Sequence, residues 1–229
     1  MANNVGHTDE TVKEKIIETL RRSFLDDAAI NYLLNRTHAE GDAFYTRHKQ
    51  MFIVNVGLHT YNTGDCYEVA DYQAAALWLP PGKKLDNPIA ALRYGPTIFW
   101  HLGYRSMMKM LDYSSYVDPV KAKYLKGRPY YYCFIVGTLP EHRGKGHCKA
   151  LFKEHLEKGD RLPLWLEATS ENSRDIYKKM GFELLKVLET VVMGVGQVDG
   201  EGYSDGETKE GVTLWCMLRE PRGEKTNNK

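Results

Sequence analysis

The sequence predicts an α/β (α+β) fold in which helices flank a mixed, mostly antiparallel central sheet. Three observations carry this. Residues 130–139 read as a buried strand that passes through a glycine-containing turn into an amphipathic helix. Residues 164–182 repeat strand, cap and short helix. Residues 66–69 and 74–79 have the pattern of a hairpin, which Pro80, Pro81 and Gly82 close.

Taken in order, Thr8, Asp9 and Glu10 make a helix start, and Val12, Ile16, Leu20 and Phe24 then recur at four-residue spacing. Asp26 or Asp27 opens a short second helix through Ile30, Leu33 and Leu34. Residues 43–61 fit two periods: Phe44, His48, Met51, Phe52 and Leu58 suit a helix, while 52–56 also suit a strand. Length favours the helix. Asn62, Gly64 and Asp65 turn the chain into the hairpin.

Asp86, Asn87 and Pro88 start an inserted helical segment, about 86–126, with Ile89, Leu92, Ile98, Phe99, Leu102 and Met107 on its apolar face. Pro96 should bend or split it. In the central strand Tyr132, Phe134, Val136 and Thr138 alternate with Tyr131, Cys133 and Ile135, and both sets are mostly apolar. Leu151, Phe152, His155 and Leu156 give the next helix its face, with Gly159 at its C-terminal cap.

Ser170 caps the following short helix, and Gly181 with Phe182 makes a Schellman stop that brings Phe182 near Tyr177. Residues 184–193 and 212–218 read as partner strands. The connection between them, 194–211, holds six glycines and reads as mobile; 222–229 read as a disordered tail.

With 229 residues, one domain over 1–221 with an insertion is the economical division. Thirty-one basic and 30 acidic residues leave a net charge of +1, which makes no case for nucleic acid or membrane as partner. Cys66, Cys133, Cys148 and Cys216 form no C-x-x-C pair and no metal-ligand spacing with histidine, so no metal site is expected. Residues 1–10 lack the apolar core of a signal peptide, and no run is long enough to cross a bilayer, which predicts a cytoplasmic protein.

The stretch Arg143-Gly144-Lys145-Gly146-His147-Cys148 lies between strand and helix. Its glycines suit a tight turn; they also suit an anion held on the first helical amides, with Arg143 and Lys145 adding charge. It is neither a Walker A loop nor G-x-G-x-x-G, because Lys149 stands where the third glycine would fall.

The segment resembles the acyl-CoA-binding motif [Q/R]-x-x-G-x-[G/A] of the GNAT acetyltransferase superfamily, with Cys148 replacing the usual Gly or Ala. Tyr177, Lys179, Gly181 and Phe182 resemble that family's second motif. More loosely, the run from Leu166 to Phe182 with Trp215, Cys216 and Met217 is similar to the puromycin-type and fungal small-molecule branch.

The resemblance implies a sheet splayed at the cofactor strand and acetyl-CoA as cofactor. It implies direct transfer of acetyl to an amine, in a monomer or homodimer. The backbone at Val136 and Thr138 would hold the pantetheine. Arg143, Gly144, Lys145, Gly146, His147 and Cys148 would hold the pyrophosphate, with Asn172 beside the cofactor. Tyr177 would protonate the departing sulfur.

Residues 130–138 contain no acid, so Glu167 is the candidate base. A structural ion pair for Glu167, a packing role for Tyr177, and an inserted helix that simply packs remain open beside these roles. The acceptor expected is a small-molecule amine. A protein lysine or N-terminal amine, or a non-catalytic acyl-CoA-binding module, is the alternative.

Overall fold

The computed structural model describes residues 2–6, 9–62, 65–85, 88–158, 161–185 and 190–221. Thr8, Gly64, Asp86, Asn87, Gly159 and the tail 222–229 lie outside them. Asp9 accepts from the Val12 amide at the head of α1 (Glu10–Ser23), and Asp27 accepts from the Ala29 and Ile30 amides at the head of α2 (Ala28–Leu34). The two-period stretch folds as a helix, α3 (Asp42–Asn62), as its length favours.

Further along come α4 (Pro88–Thr97), a π-turn (Ile98–Leu102), α5 (Gly103–Leu125), α6 (His147–Lys158) and α7 (Glu171–Lys179). Pro96 does not split the inserted segment: it stays inside α4, and the break comes at Gly103, whose φ of +83° ends the π-turn. The widened π-turn begins two residues after the proline, at Ile98.

Among the described residues the strands are β1 (Asn3–Asn4), β2 (Cys66–Val69), β3 (Ala74–Leu79), β4 (Tyr131–Thr138), β5 (Leu164–Ala168), β6 (Glu183–Leu184), β7 (Thr190–Met193) and β8 (Val212–Arg219). They form one sheet in the order β1-β2-β3-β4-β5-β8-β6, with β7 also on β8. Of the strand expected over 184–193, the described residues form β6 and β7, both on β8, and 186–189 lie outside them. One pairing is parallel, β4 with β5, and it covers only Tyr131 with Leu164 and Tyr132 with Trp165. Beyond Tyr132 the two strands part.

The parting coincides with a bulge. Leu77 faces Ile135 while Trp78 faces Cys133, which leaves Phe134 as an extra residue on β4. Simple alternation therefore fails there. Ile135 packs on the side of Tyr132 and Phe134, and Val136 joins Tyr131 and Cys133 on the other.

The first side is covered by α1, α2, α3 and α5, through Ile16, Leu20, Leu34, Phe52 and Val117. The second is covered by α6 and α7, through Leu151, Phe152 and Tyr177. Both cores are made of fully buried large side chains.

The connection 194–211 is tied down rather than mobile. Its Ser204 amide donates to the Arg36 carbonyl, and Asn31 Nδ2 donates to the Glu201 carbonyl. Gly202, at φ +84°, sits so close to α2 that a Cβ there would strike the Ala28 carbonyl oxygen. Here glycine serves close approach instead of flexibility.

Three buried histidines make the fold acid-sensitive. Burial pushes His48 and His59 down to about 4, each held by a backbone carbonyl, of Phe24 and Trp78 respectively. Burial takes His155, stacked at 3.8 Å on Trp78, down to about 3. Their folded pKa values lie below the unfolded value of 6.5, so this stability is present above pH 6.5 and is lost as pH falls toward 4 and then 3. Denaturant midpoints measured across that window should drop with a limiting slope of about 4 kcal/mol per pH unit.

Candidate active site

The candidate site is the gap between β4 and β5. In the β3–β4 ladder the Leu139 amide donates to the Gln73 carbonyl. Alternation back from that bond turns the amides of Val136 and Thr138 away from β3, toward the space β5 has left. The Tyr131 amide, on the other side of the bulge, donates to the Pro163 carbonyl beside β5. The bulge therefore swaps which residues face the gap.

At the end of β4, Pro140–His142 makes a short 3-10 turn, and α6 begins at His147. Gly144 and Gly146 have φ of +79° and +80°, and a Cβ on either would meet open space. Both the conformation and the vacant approach suit a ligand lying against the backbone, and the first amides of α6 have no intrahelical partner. These residues fit the pyrophosphate of acetyl-CoA.

Arg143 does not reach into this loop; it donates to the carbonyls of Thr138 and Ser23, tying α1 to β4. Lys145 Nζ lies 2.9 Å from His142 Nδ1, and His147 Nε2 lies 3.1 Å from Gln73 Oε1. Asn172 is exposed at the second residue of α7.

A capping box of Ser170 and Ser173 starts α7, and a Schellman pair ends it: Phe182 N–H to Tyr177 O and Gly181 N–H to Lys178 O. The helix carries Tyr177 inward against Phe152 and Phe182. Its ring is buried, and among the described residues none hydrogen-bonds its hydroxyl. Burial first, then the nearby Cys148, Cys133 and Asp27, pushes that hydroxyl well above the usual phenol value. Burial likewise pushes the Cys148 thiol up to about 12, so it stays protonated and is no nucleophile.

Glu167 is fully engaged. Its carboxylate accepts from Trp165 Nε1 and from the Tyr132 hydroxyl, each at 2.6 Å, and pairs with Lys121 at 3.2 Å. Tyr113 lies close enough to Tyr132 and Glu167 for their fields to act on its hydroxyl, and Lys121 lies 4.0 Å over the Tyr132 ring. Tyr113 and Lys121 both come from α5, so the inserted segment packs beside Glu167 on this side of the sheet.

Its other aromatics divide. Tyr116 and Tyr124 pack on the core, while Phe99, Trp100 and Tyr104 are exposed, as is His101.

The residue that sequence reasoning passed over is Asp27. Besides capping α2, its Oδ2 accepts from Thr169 Oγ1 at 2.5 Å, across the open end of β5. Burial raises its pKa against the lowering pull of Thr169, Ile30 and Ala29. Its field reaches both Tyr177 and Tyr113, which lie on opposite sides of the sheet. In the sequence it reads as a cap; only the fold brings Thr169 to it.

Residues 125–191 match a family model described as FR47-like protein. A Schizosaccharomyces pombe protein named Uncharacterized N-acetyltransferase C550.08 is 29% identical over 178 residues, which is 74% of this chain and 70% of that protein. The structure described as histone acetyltransferase HPA2 and related acetyltransferase from Corynebacterium glutamicum shares the fold with a TM-score of 0.61. Its identity is 16%, over 98% of each chain. Drosophila melanogaster polyamine N acetyltransferase gives 0.58 at 16% identity, over 96% of this chain and 99% of its own. The splayed sheet, the glycine loop ahead of α6, the matched family model and the yeast relative together make the chain similar to N-acetyltransferases, with the fold of the GNAT superfamily.

Proposed function

We propose that the protein uses acetyl-CoA to acetylate the amine of a small molecule at the β4–β5 gap. The observation that carries this is the Tyr177 hydroxyl, held by a buried ring beside Cys133 and Cys148 at the inner end of the cofactor loop and with no hydrogen-bond partner among the described residues. A hydroxyl in that setting has a donor to offer that the chain itself does not use. Bound acetyl-CoA would supply an activated acetyl group and a thiolate that needs a proton.

Tyr177 holds a proton on its hydroxyl, which its raised pKa keeps there before reaction; it passes that proton to the departing thiolate and regains one from solvent. The amides of Val136 and Thr138 offer donors to the pantetheine and the acetyl carbonyl. Asp27 takes the proton that the attacking amine must lose; its raised pKa makes it a better base than an exposed aspartate. Glu167 with Lys121 and Tyr132 fixes the wall of the acceptor side.

A gap walled by Tyr113 and Tyr132 suits a small amine better than an extended peptide. The Drosophila protein's name, a polyamine acetyltransferase, agrees with that acceptor class.

Asp27→Asn separates the roles, because asparagine caps a helix about as well as aspartate. It should lower kcat about a hundredfold and remove the acidic limb of the pH–rate profile, with thermal stability nearly unchanged. Free-thiol release with a panel of polyamines and arylalkylamines gives the rates. Loss on Glu167→Gln with none on Asp27→Asn would return the base to Glu167. Acetyl-CoA binding without turnover of any amine or peptide would favour a binding module.

A further inference from the structure

Away from the gap, the inserted segment carries an exposed apolar corner that the proposed chemistry does not use. α4 and the π-turn end at Gly103, where the chain turns into α5. Around that turn Phe99, Trp100 and Tyr104 stand out from the surface, with Trp100 80% exposed. Leu92 on α4 is 79% exposed and Leu111 on α5 is 66% exposed. Single exposed apolar side chains are ordinary; a run of large ones along one segment marks a contact surface.

Cations outnumber acids around it, although the exposed Asp112 follows Leu111 on α5. Residues 83–111 contain Lys83, Lys84, Arg93, Arg105 and Lys109 against Asp86 alone, and 88–111 contain no acid. Lys109 turns inward and donates to the Tyr32 carbonyl. Lys83, Lys84, Arg93 and Arg105 are exposed, and none pairs with an acid among the described residues. The whole-chain charge of +1 conceals this cluster.

We propose that this corner docks the protein on an anionic lipid surface. Phe99, Trp100 and Tyr104 enter the boundary between headgroups and acyl chains, where amphipathic rings are favoured, and Leu92 lies beside them. Arg93, Arg105, Lys83 and Lys84 meet the lipid phosphates.

A protruding surface with cations in excess fits a fluid anionic layer, which needs no matching pocket. A second copy of the chain would bring the same cations and repel. Docking is peripheral: among the described residues no helix is long and apolar enough to cross a membrane.

The test is sedimentation of the full chain with phosphatidylcholine vesicles, with and without phosphatidylserine, while tryptophan emission is recorded. Of the four tryptophans, Trp78 and Trp165 are fully buried and Trp215 lies under the Arg174 guanidinium, so a blue shift reports Trp100.

Binding to the phosphatidylserine vesicles, released by salt and accompanied by the blue shift, is expected. Arg93→Glu with Arg105→Glu should weaken partitioning by about thirtyfold or more. Trp100→Ser with Tyr104→Ser should abolish the blue shift. Absence of binding at low salt, equal binding to both vesicle types, or a Trp100-dependent dimer without vesicles would each overturn the proposal.

Discussion

Tyr177→Phe is expected to lower kcat for acetyl transfer about a hundredfold or more, with acetyl-CoA affinity essentially unchanged. The substitution removes one oxygen and keeps the ring that packs on Phe152 and Phe182, so the fold loses no contact it depends on. No hydrogen bond within the described residues is broken. What disappears is the proton donor. Stopped assays of thiol release, run beside calorimetric titration with acetyl-CoA, separate the two parameters. A full rate with phenylalanine would reduce Tyr177 to a packing residue and move the proton to water.

The second large effect is expected at the loop. Gly146→Trp should weaken acetyl-CoA binding at least about tenfold while leaving thermal unfolding cooperative. Two causes act together. A tryptophan at a φ of +80° carries left-handed strain of about 1–2 kcal/mol. Its side chain would also occupy the open space against which the pyrophosphate is expected to lie. Calorimetry gives the affinity, and the glycine's open surroundings mean that no internal clash obscures the result. Unchanged affinity would remove the loop from the cofactor site.

How far the sequence could be read depended on whether the signal was local. The ends of α7 were legible because cap and stop are encoded within a few residues: Ser170 accepts from the Ser173 amide, and Gly181 takes the positive φ that a Schellman turn needs. The hairpin of β2 and β3 was legible for the same reason, from short apolar runs with turns at both ends.

The faces of β4 were not, because a bulge is decided by the neighbouring strand. Nothing in residues 131–138 by themselves marks Phe134 as the extra residue. Asp27 escaped as a functional candidate because its second partner, Thr169, is distant in sequence and adjacent only in the fold. The glycines of 194–211 misled, since glycine composition does not distinguish freedom from tight contact. Gly202 against α2 belongs to the second kind.

The bulge in β4 bears on how such a protein can change over time. The gap is opened by one surplus peptide unit and by the order of strands around it, and both belong to the backbone. Very few side chains are needed to keep it open, so most positions in the sheet are free to drift as long as they stay apolar. Distant relatives can then keep the same reaction chamber while agreeing at few positions. The proposed acceptor wall, built from side chains such as Tyr113 and Tyr132, is then free to be re-specified while the gap itself stays in place.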